Sequence, residues 1–152
     1  MSIRGRIFFI ILSCLFIGLS LAFIVAERDL SEGLQQQIES ELSKQAKILR
    51  QSFAESPKVN NYNSLKSQID SYSDASGSRI TLIARDGLVL VDSDIAMDIL
   101  ESLDNHSNRP EVIAAFNNGS GSSKRFSNSI QQDMLYFALL DTTSNPERVI
   151  RI

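Results

Sequence analysis

Tryptophan is absent from this chain of 152 residues, and cysteine and histidine occur once each. With Cys14 as the single thiol, no disulfide can form within the chain. Small secreted domains of eukaryotes are usually stapled by such bridges, so their absence favours a bacterial origin. A lone histidine, His106, and no nucleophile elbow leave nothing to support hydrolysis, so no catalytic residue is assigned. Asn105-His106-Ser107 and Asn118-Gly119-Ser120 match a glycosylation sequon that a bacterial cell would leave inert. Positive charge is also scarce. Of the 15 basic residues, Arg4 and Arg6 precede the apolar run described next, and the other 13 face 18 acidic residues, a net −5. That balance argues against nucleic acid and against broad attraction of anionic metabolites, and it leaves room for a single anion pocket. No internal repeat or long low-complexity tract is present.

Charge is missing altogether from Ile7 to Ala26, IFFIILSCLFIGLSLAFIVA, a run flanked by Arg4 and Arg6 and closed by Glu27. At 1.5 Å rise, ~20 helical residues cross a ~30 Å hydrocarbon core. The arginines on the short side place residues 1–6 in the cytoplasm and residues 27–152 outside it. A cleaved signal peptide fits less well, because the core is long and Ala22 and Ala26 do not form an A-x-A site. Ile11-Leu12-Ser13-Cys14 resembles a lipoprotein box, but apolar residues continue after Cys14 where a mature lipoprotein turns polar. The expectation is a single-pass cell-membrane protein with an uncleaved anchor. About 126 residues remain outside, enough for one domain with a modest core.

From Glu27 to Ala54 there is no proline and only one glycine, Gly33. Leu30, Leu34, Ile38, Leu42, Ala46, Leu49 and Phe53 fall on one helical face. With no stop signal at Ala26, the anchor is expected to continue as one helix of roughly 47 residues, about 70 Å long. The rod, 27–56, suits packing on its own domain and on a partner chain, although its spacing is too loose for a strict heptad. Ser56-Pro57 is expected to break it, with a loop over Asn60-Asn61-Tyr62-Asn63 and a short helix from Ser64 to Tyr72 closed by Asp74-Ala75-Ser76-Gly77.

Strand character follows. Arg79 to Ala84 and Leu88 to Val91 flank Asp86-Gly87, a hairpin signal of the type I′ kind. Asp92-Ser93-Asp94 can cap a helix from Ile95 to Leu103. Pro110 and Asn118-Gly119 frame another helix, Glu111 to Asn117. Gly119 to Ser123 reads as a flexible turn, Lys124 to Ser129 and Met134 to Leu140 as strands, and Val149 to Ile152 as the start of a last strand. The fold class is α+β, an N-terminal transmembrane helix continuing into a long helix that backs a five-stranded antiparallel sheet.

The blocks in 79–152 resemble the extracellular PAS-like, single Cache-like, domain of PhoR-type two-component sensor histidine kinases. The carrying residues are Ile80 to Ile83, Asp86-Gly87, Val89 to Ser93, Asn105-His106, Arg109-Pro110-Glu111-Val112, Asp133 to Ala138 and Val149-Ile150-Arg151. They cover about half of the chain, in matching order and spacing. Leu139-Leu140-Asp141 departs from the pattern, because relatives usually have a small residue and proline there. The resemblance implies an N-terminal membrane anchor and extracytoplasmic sensor domain, with homodimerisation through the rod. It also implies a kinase region beyond Ile152, absent from these residues, that would use ATP and signal to a cytoplasmic response regulator. His106 lies in the outer domain and cannot be the phosphoacceptor. No cofactor is expected within residues 1–152. A chemotaxis receptor or membrane-bound cyclase can carry the same outer module. A pilin-like subunit fits poorly, because no acid follows Gly5 within the apolar segment.

His106, Arg109, Lys124 and Arg125 are the cations between the second and fourth expected strands. The resemblance places that region beside the ligand cavity, and a guanidinium fork suits a carboxylate or phosphate. The candidate ligand-binding residues are therefore His106, Arg109, Arg125 and Tyr136, the last as a hydroxyl donor. The plainer expectation is that Asn105-His106 caps or braces the Pro110 helix while Arg109 pairs with a local carboxylate. Tight phosphate binding is not expected of a domain with net charge −5. Asp92, Asp94 and Asp98 lack the glycine and bidentate glutamate of a calcium loop, so no metal site is assigned.

Overall fold

The computed structural model describes residues 3–55, 61–100, 102–127 and 131–152. The expected break at Ser56-Pro57, Asn60 of the following loop, Glu101 of the expected Ile95–Leu103 helix and the end of the Lys124–Ser129 strand lie outside them. Helix α1 runs from Ile3 to Glu55 without interruption, as the absence of proline and of a stop signal requires. Two compact units divide within it, Met1–Ile38 and Glu39–Ile152.

In the first unit the apolar side chains have no protein cover: Leu15, Phe16, Leu19 and Phe23 are each about two-thirds exposed. Such a surface is unstable in water and stable in lipid, where a helix satisfies its own backbone groups. Ser13, one of the two serines in the run, donates to the Phe9 carbonyl at 2.8 Å, which removes a polar cost. Among the described residues α1 is the one helix long and apolar enough to span a membrane, and it lies at the N-terminus.

In the second unit the remainder of α1 is followed by α2, Tyr62–Ser76. It is longer than Ser64–Tyr72, because its ends are set by Asn61, whose side chain accepts from the Ser64 amide, and by Gly77 at φ 66°. Asp74-Ala75-Ser76 is thus the last helical turn. Strands β1, Thr81–Ala84, and β2, Val89–Asp92, form the expected hairpin. Its turn is not type I′, because Gly87 has positive φ and Asp86 does not. The Gly87 amide donates to the Ala84 carbonyl and Ala84 to Leu88, a three-residue loop of type I followed by a left-handed glycine. The Asp86 carboxylate accepts from the Leu88 amide, which favours this geometry over I′.

Helix α3 is only Met97–Leu100, and α4 spans Pro110–Asn118 with proline in its first turn and Gly119 as left-handed cap. Strand β3, Ser120–Ser127, includes the segment 120–123 expected as a flexible turn. These small residues pair with Leu139 to Tyr136 of β4, Gln132–Asp141. The reason for Gly121 is close packing, since a Cβ there would strike Ala114 and the Glu111 carbonyl. Strand β5 is Arg148–Arg151. The sheet is antiparallel throughout, in the order β2-β1-β5-β4-β3.

Alternation along the strands gives the sheet two buried faces. Leu82, Ile150, Phe137 and Leu139 meet Ala46, Leu49 and Phe53 of α1 and Ile69 of α2. Ile83, Val149 and Ala138 meet Val112 and Ala115 of α4. The rod stripe is divided accordingly: Ala46, Leu49 and Phe53 are buried, Leu42 is partly buried, and Leu30, Leu34 and Ile38 are exposed.

Candidate functional site

Thr81, Arg151 and Tyr136 stand on the α4 face of β1, β5 and β4, and Ser123 and Arg125 on that of β3. This follows from pairing Thr81 with Arg151, Arg151 with Ala138, and Ser123 with Tyr136. Glu111, in the first turn of α4, is pushed onto them and is wholly buried. Its carboxylate accepts from Ser123 Oγ at 2.5 Å and from Arg125 at 3.3 Å, and lies 3.8 Å from Arg151. Arg151 in turn donates to Thr81 Oγ1 at 3.2 Å, and that hydroxyl donates to Asp92 at 2.8 Å. Arg79 closes the chain with a two-pronged pair to Asp92, its Nε and a terminal nitrogen within 3.1 Å of the carboxylate. Rather than capping α3, Asp92 is therefore the second buried acceptor of the cluster.

Tyr136 supplies the face of its ring: the Arg125 guanidinium lies 4.1 Å from its centre and that of Arg151 5.4 Å. Burial lowers the Arg151 guanidinium to about 10; Glu111 opposes the shift, while Arg125 and Arg79 reinforce it.

Of the candidates His106, Arg109, Arg125 and Tyr136, the last two belong to this cluster, while His106 and Arg109 make no hydrogen bond or ion pair to its members among the described residues. Their interactions meet the plainer expectation only in part, because the amide of Arg109, the N-cap of α4, donates to the His106 carbonyl at 3.1 Å. His106 does not cap α4, whose N-cap is Arg109 with no side-chain cap bond. His106 braces the preceding loop: its amide donates to the Gly87 carbonyl, and Nδ1 lies 2.6 Å from the Asp104 carbonyl. Asn105 joins the brace by donating to the Asp86 carbonyl. Arg109 forms no ion pair or side-chain hydrogen bond among the described residues, so the expected local carboxylate is not there. Lys124 points away from the cluster and pairs with Asp133 at the surface. Arg151 and Glu111 were not among the candidates. The available signals were a charge inside the otherwise apolar Val149-Ile150-Arg151-Ile152 and an acid one turn before Ala115 on the apolar helix face.

Burial lowers the pKa of His106, with repulsion from Arg151, Arg109 and Arg125 adding to it and the Asp104 carbonyl opposing it. The folded state thus holds the imidazole neutral at a pH where the unfolded chain, near 6.5, begins to take a proton. Stability is fully present above about pH 6.5 and declines as pH falls from there through the lower folded value. Denaturant midpoints measured from pH 7.5 down to pH 5 are expected to fall, and the slope is expected to flatten in His106→Gln. An unchanged slope in that variant would assign the pH dependence to other groups.

Among the described residues no group of three or more His, Cys, Asp or Glu side chains is arranged to hold a metal ion. Compared with models of known protein families the chain matches none, and compared with curated proteins it finds no match. The cluster defines a buried, cation-rich face on an α+β domain whose N-terminal helix is apolar enough to span a membrane.

Proposed function

We propose that residues 1–152 are the membrane anchor and extracytoplasmic signal-sensing domain of a bacterial two-component sensor histidine kinase of the PhoR type. The observation that carries the reading is the continuity of α1, a single helix whose first part is a candidate membrane span and whose last part supplies Ala46, Leu49 and Phe53 to the domain core. A helix without a hinge transmits a shift or rotation along its length. The antiparallel five-stranded sheet, backed by that helix, supports the PAS-like resemblance. Arg4 and Arg6 favour a cytoplasmic N-terminus, with the domain on the far side. ATP and a response regulator belong to the kinase region of this reading. The gene read onward from codon 152 is expected to encode a second membrane helix, a linker, a phosphoacceptor-histidine helix and an ATP-binding domain. An in-frame stop at that point, with no kinase downstream, overturns it.

The same reading makes the receptor a homodimer through the rod. Leu30, Leu34 and Ile38 support it, because three apolar side chains at i, i+4 and i+8 are at least half exposed beyond the membrane run. Single cysteines introduced from Glu27 to Ile38 in intact membranes are expected to cross-link between chains with a helical period. A flat, non-periodic profile counts against the dimer.

A further inference from the structure

Exposed apolar side chains in the second unit are concentrated in one stretch. Of the seven large apolar residues that stay exposed there among the described residues, four are Leu88, Leu90, Met97 and Ile99, 40–61% exposed. Leu88 precedes and Leu90 lies in β2, an outer strand of the sheet with β1 as its one strand neighbour. Met97 and Ile99 belong to α3, which packs against β2. Exposed apolar residues scattered singly are ordinary, whereas a concentration of this kind marks a surface that a partner covers.

Charge selects the partner. Residues 86–108 hold six of the 18 acidic residues of the chain and neither lysine nor arginine, while the rest of 27–152 holds 12 acids and 13 bases. This one stretch therefore carries the whole negative balance of the region. Asp92 is buried and paired with Arg79, whereas Asp86, Asp94, Asp98 and Asp104 are exposed. Asp94 lies 3.9 Å from Arg79, and the other three exposed aspartates enter no ion pair among the described residues. We propose that this face docks a basic amphipathic segment of another protein, its apolar side chains on β2 and α3 and its Lys or Arg side chains on the exposed aspartates. A second copy docked face to face would set these carboxylates against each other, and anionic lipid headgroups would meet the same repulsion. The surface is separate from the rod stripe of Leu30, Leu34 and Ile38, and the inference does not rest on the sensor reading.

The test uses the full chain in phosphatidylcholine nanodiscs and two synthetic peptides, one of lysine and leucine and one with glutamate in place of lysine, each carrying a single tryptophan. The chain has no tryptophan, so peptide fluorescence reports binding without background, and empty nanodiscs supply the blank for lipid. Saturable binding above that blank is expected for the lysine peptide and not for the glutamate peptide. It is expected to weaken as sodium chloride rises from about 50 to about 300 mM. Met97→Ser with Ile99→Ser, and separately Asp98→Asn with Asp104→Asn, are expected to lower the affinity at least about tenfold. All four positions are exposed, so both pairs are expected to fold, and the aspartate pair keeps the test decisive if the apolar pair does not. Ile113→Ser, at an exposed apolar position on α4, is expected to bind as the parent chain does. No binding above the blank, equal binding of both peptides, or undiminished binding in both pairs overturns the proposal. A smaller particle mass by light scattering in Met97→Ser with Ile99→Ser assigns the face to a second copy and also overturns it. None of these results bears on the sensor reading, which stands or falls on the gene beyond codon 152.

Discussion

Replacing Glu111 with alanine is expected to destabilise the domain by about 3–5 kcal/mol, the range for removing one member of a buried ion pair. Glu111 is fully buried, and Arg151 is 6% exposed. Without the carboxylate, Arg151 loses its nearest counter-charge and keeps its bond to Thr81 and the face of Tyr136, while Arg125, which stacks on the same ring, repels it. Ser123 Oγ loses its acceptor as well. A loss of this size is a large part of the ~5–15 kcal/mol that holds a domain folded. Denaturant unfolding followed by circular dichroism measures it, and a loss below about 1 kcal/mol would show that water or a rearranged Arg151 replaces the pair. Converting both partners to apolar residues, Glu111→Leu with Arg151→Met, is expected to recover most of the loss, because no charge is then stranded.

Leu49→Asp is expected to prevent folding of the second unit altogether. Leu49 is 1% exposed and lies among Phe53, Ile69, Phe137 and Leu139 in the larger core cluster. Removal of a buried leucine side chain alone costs about 2–5 kcal/mol, and a carboxylate in that setting adds a desolvation cost of several more. Leu42→Asp, at a partly buried position, is expected to be milder. Leu34→Asp, at an exposed position on the same stripe, is expected to leave the domain folded. Near-ultraviolet circular dichroism and protease resistance distinguish the three. A folded Leu49→Asp would mean that the end of α1 does not contribute to the core.

Much of this domain can be read from local patterns. The uncharged run ending at Glu27 and the 3.6-residue periodicity from Leu30 to Phe53 mark α1, because both are properties of consecutive residues. Pro110 and Gly119 mark α4 by what each does to its own backbone. Local reading failed where packing overrides preference. The glycine- and serine-rich 120–123 resembles a turn, yet it is strand because it pairs with Leu139 to Tyr136 of β4, and Gly121 is small there because α4 passes close to it. Asp86-Gly87 suggests a type I′ turn, but the Asp86 side chain stabilises a three-residue loop instead.

The sequence by itself determined the apolar helix, the α+β class, the hairpin and the individual arginines, all set by side-chain chemistry over a few residues. Only the tertiary structure decided which arginines act together. Strand β5 enters the sheet between β1 and β4, which sets Arg151 beside Thr81 and within reach of Glu111 from a distant helix. That convergence is set by strand order and by alternation across the pleat, which no local pattern encodes. It leaves Arg109 without the carboxylate that its neighbours in the chain suggested, because Glu111 turns inward to the sheet and pairs with Arg125 and Arg151.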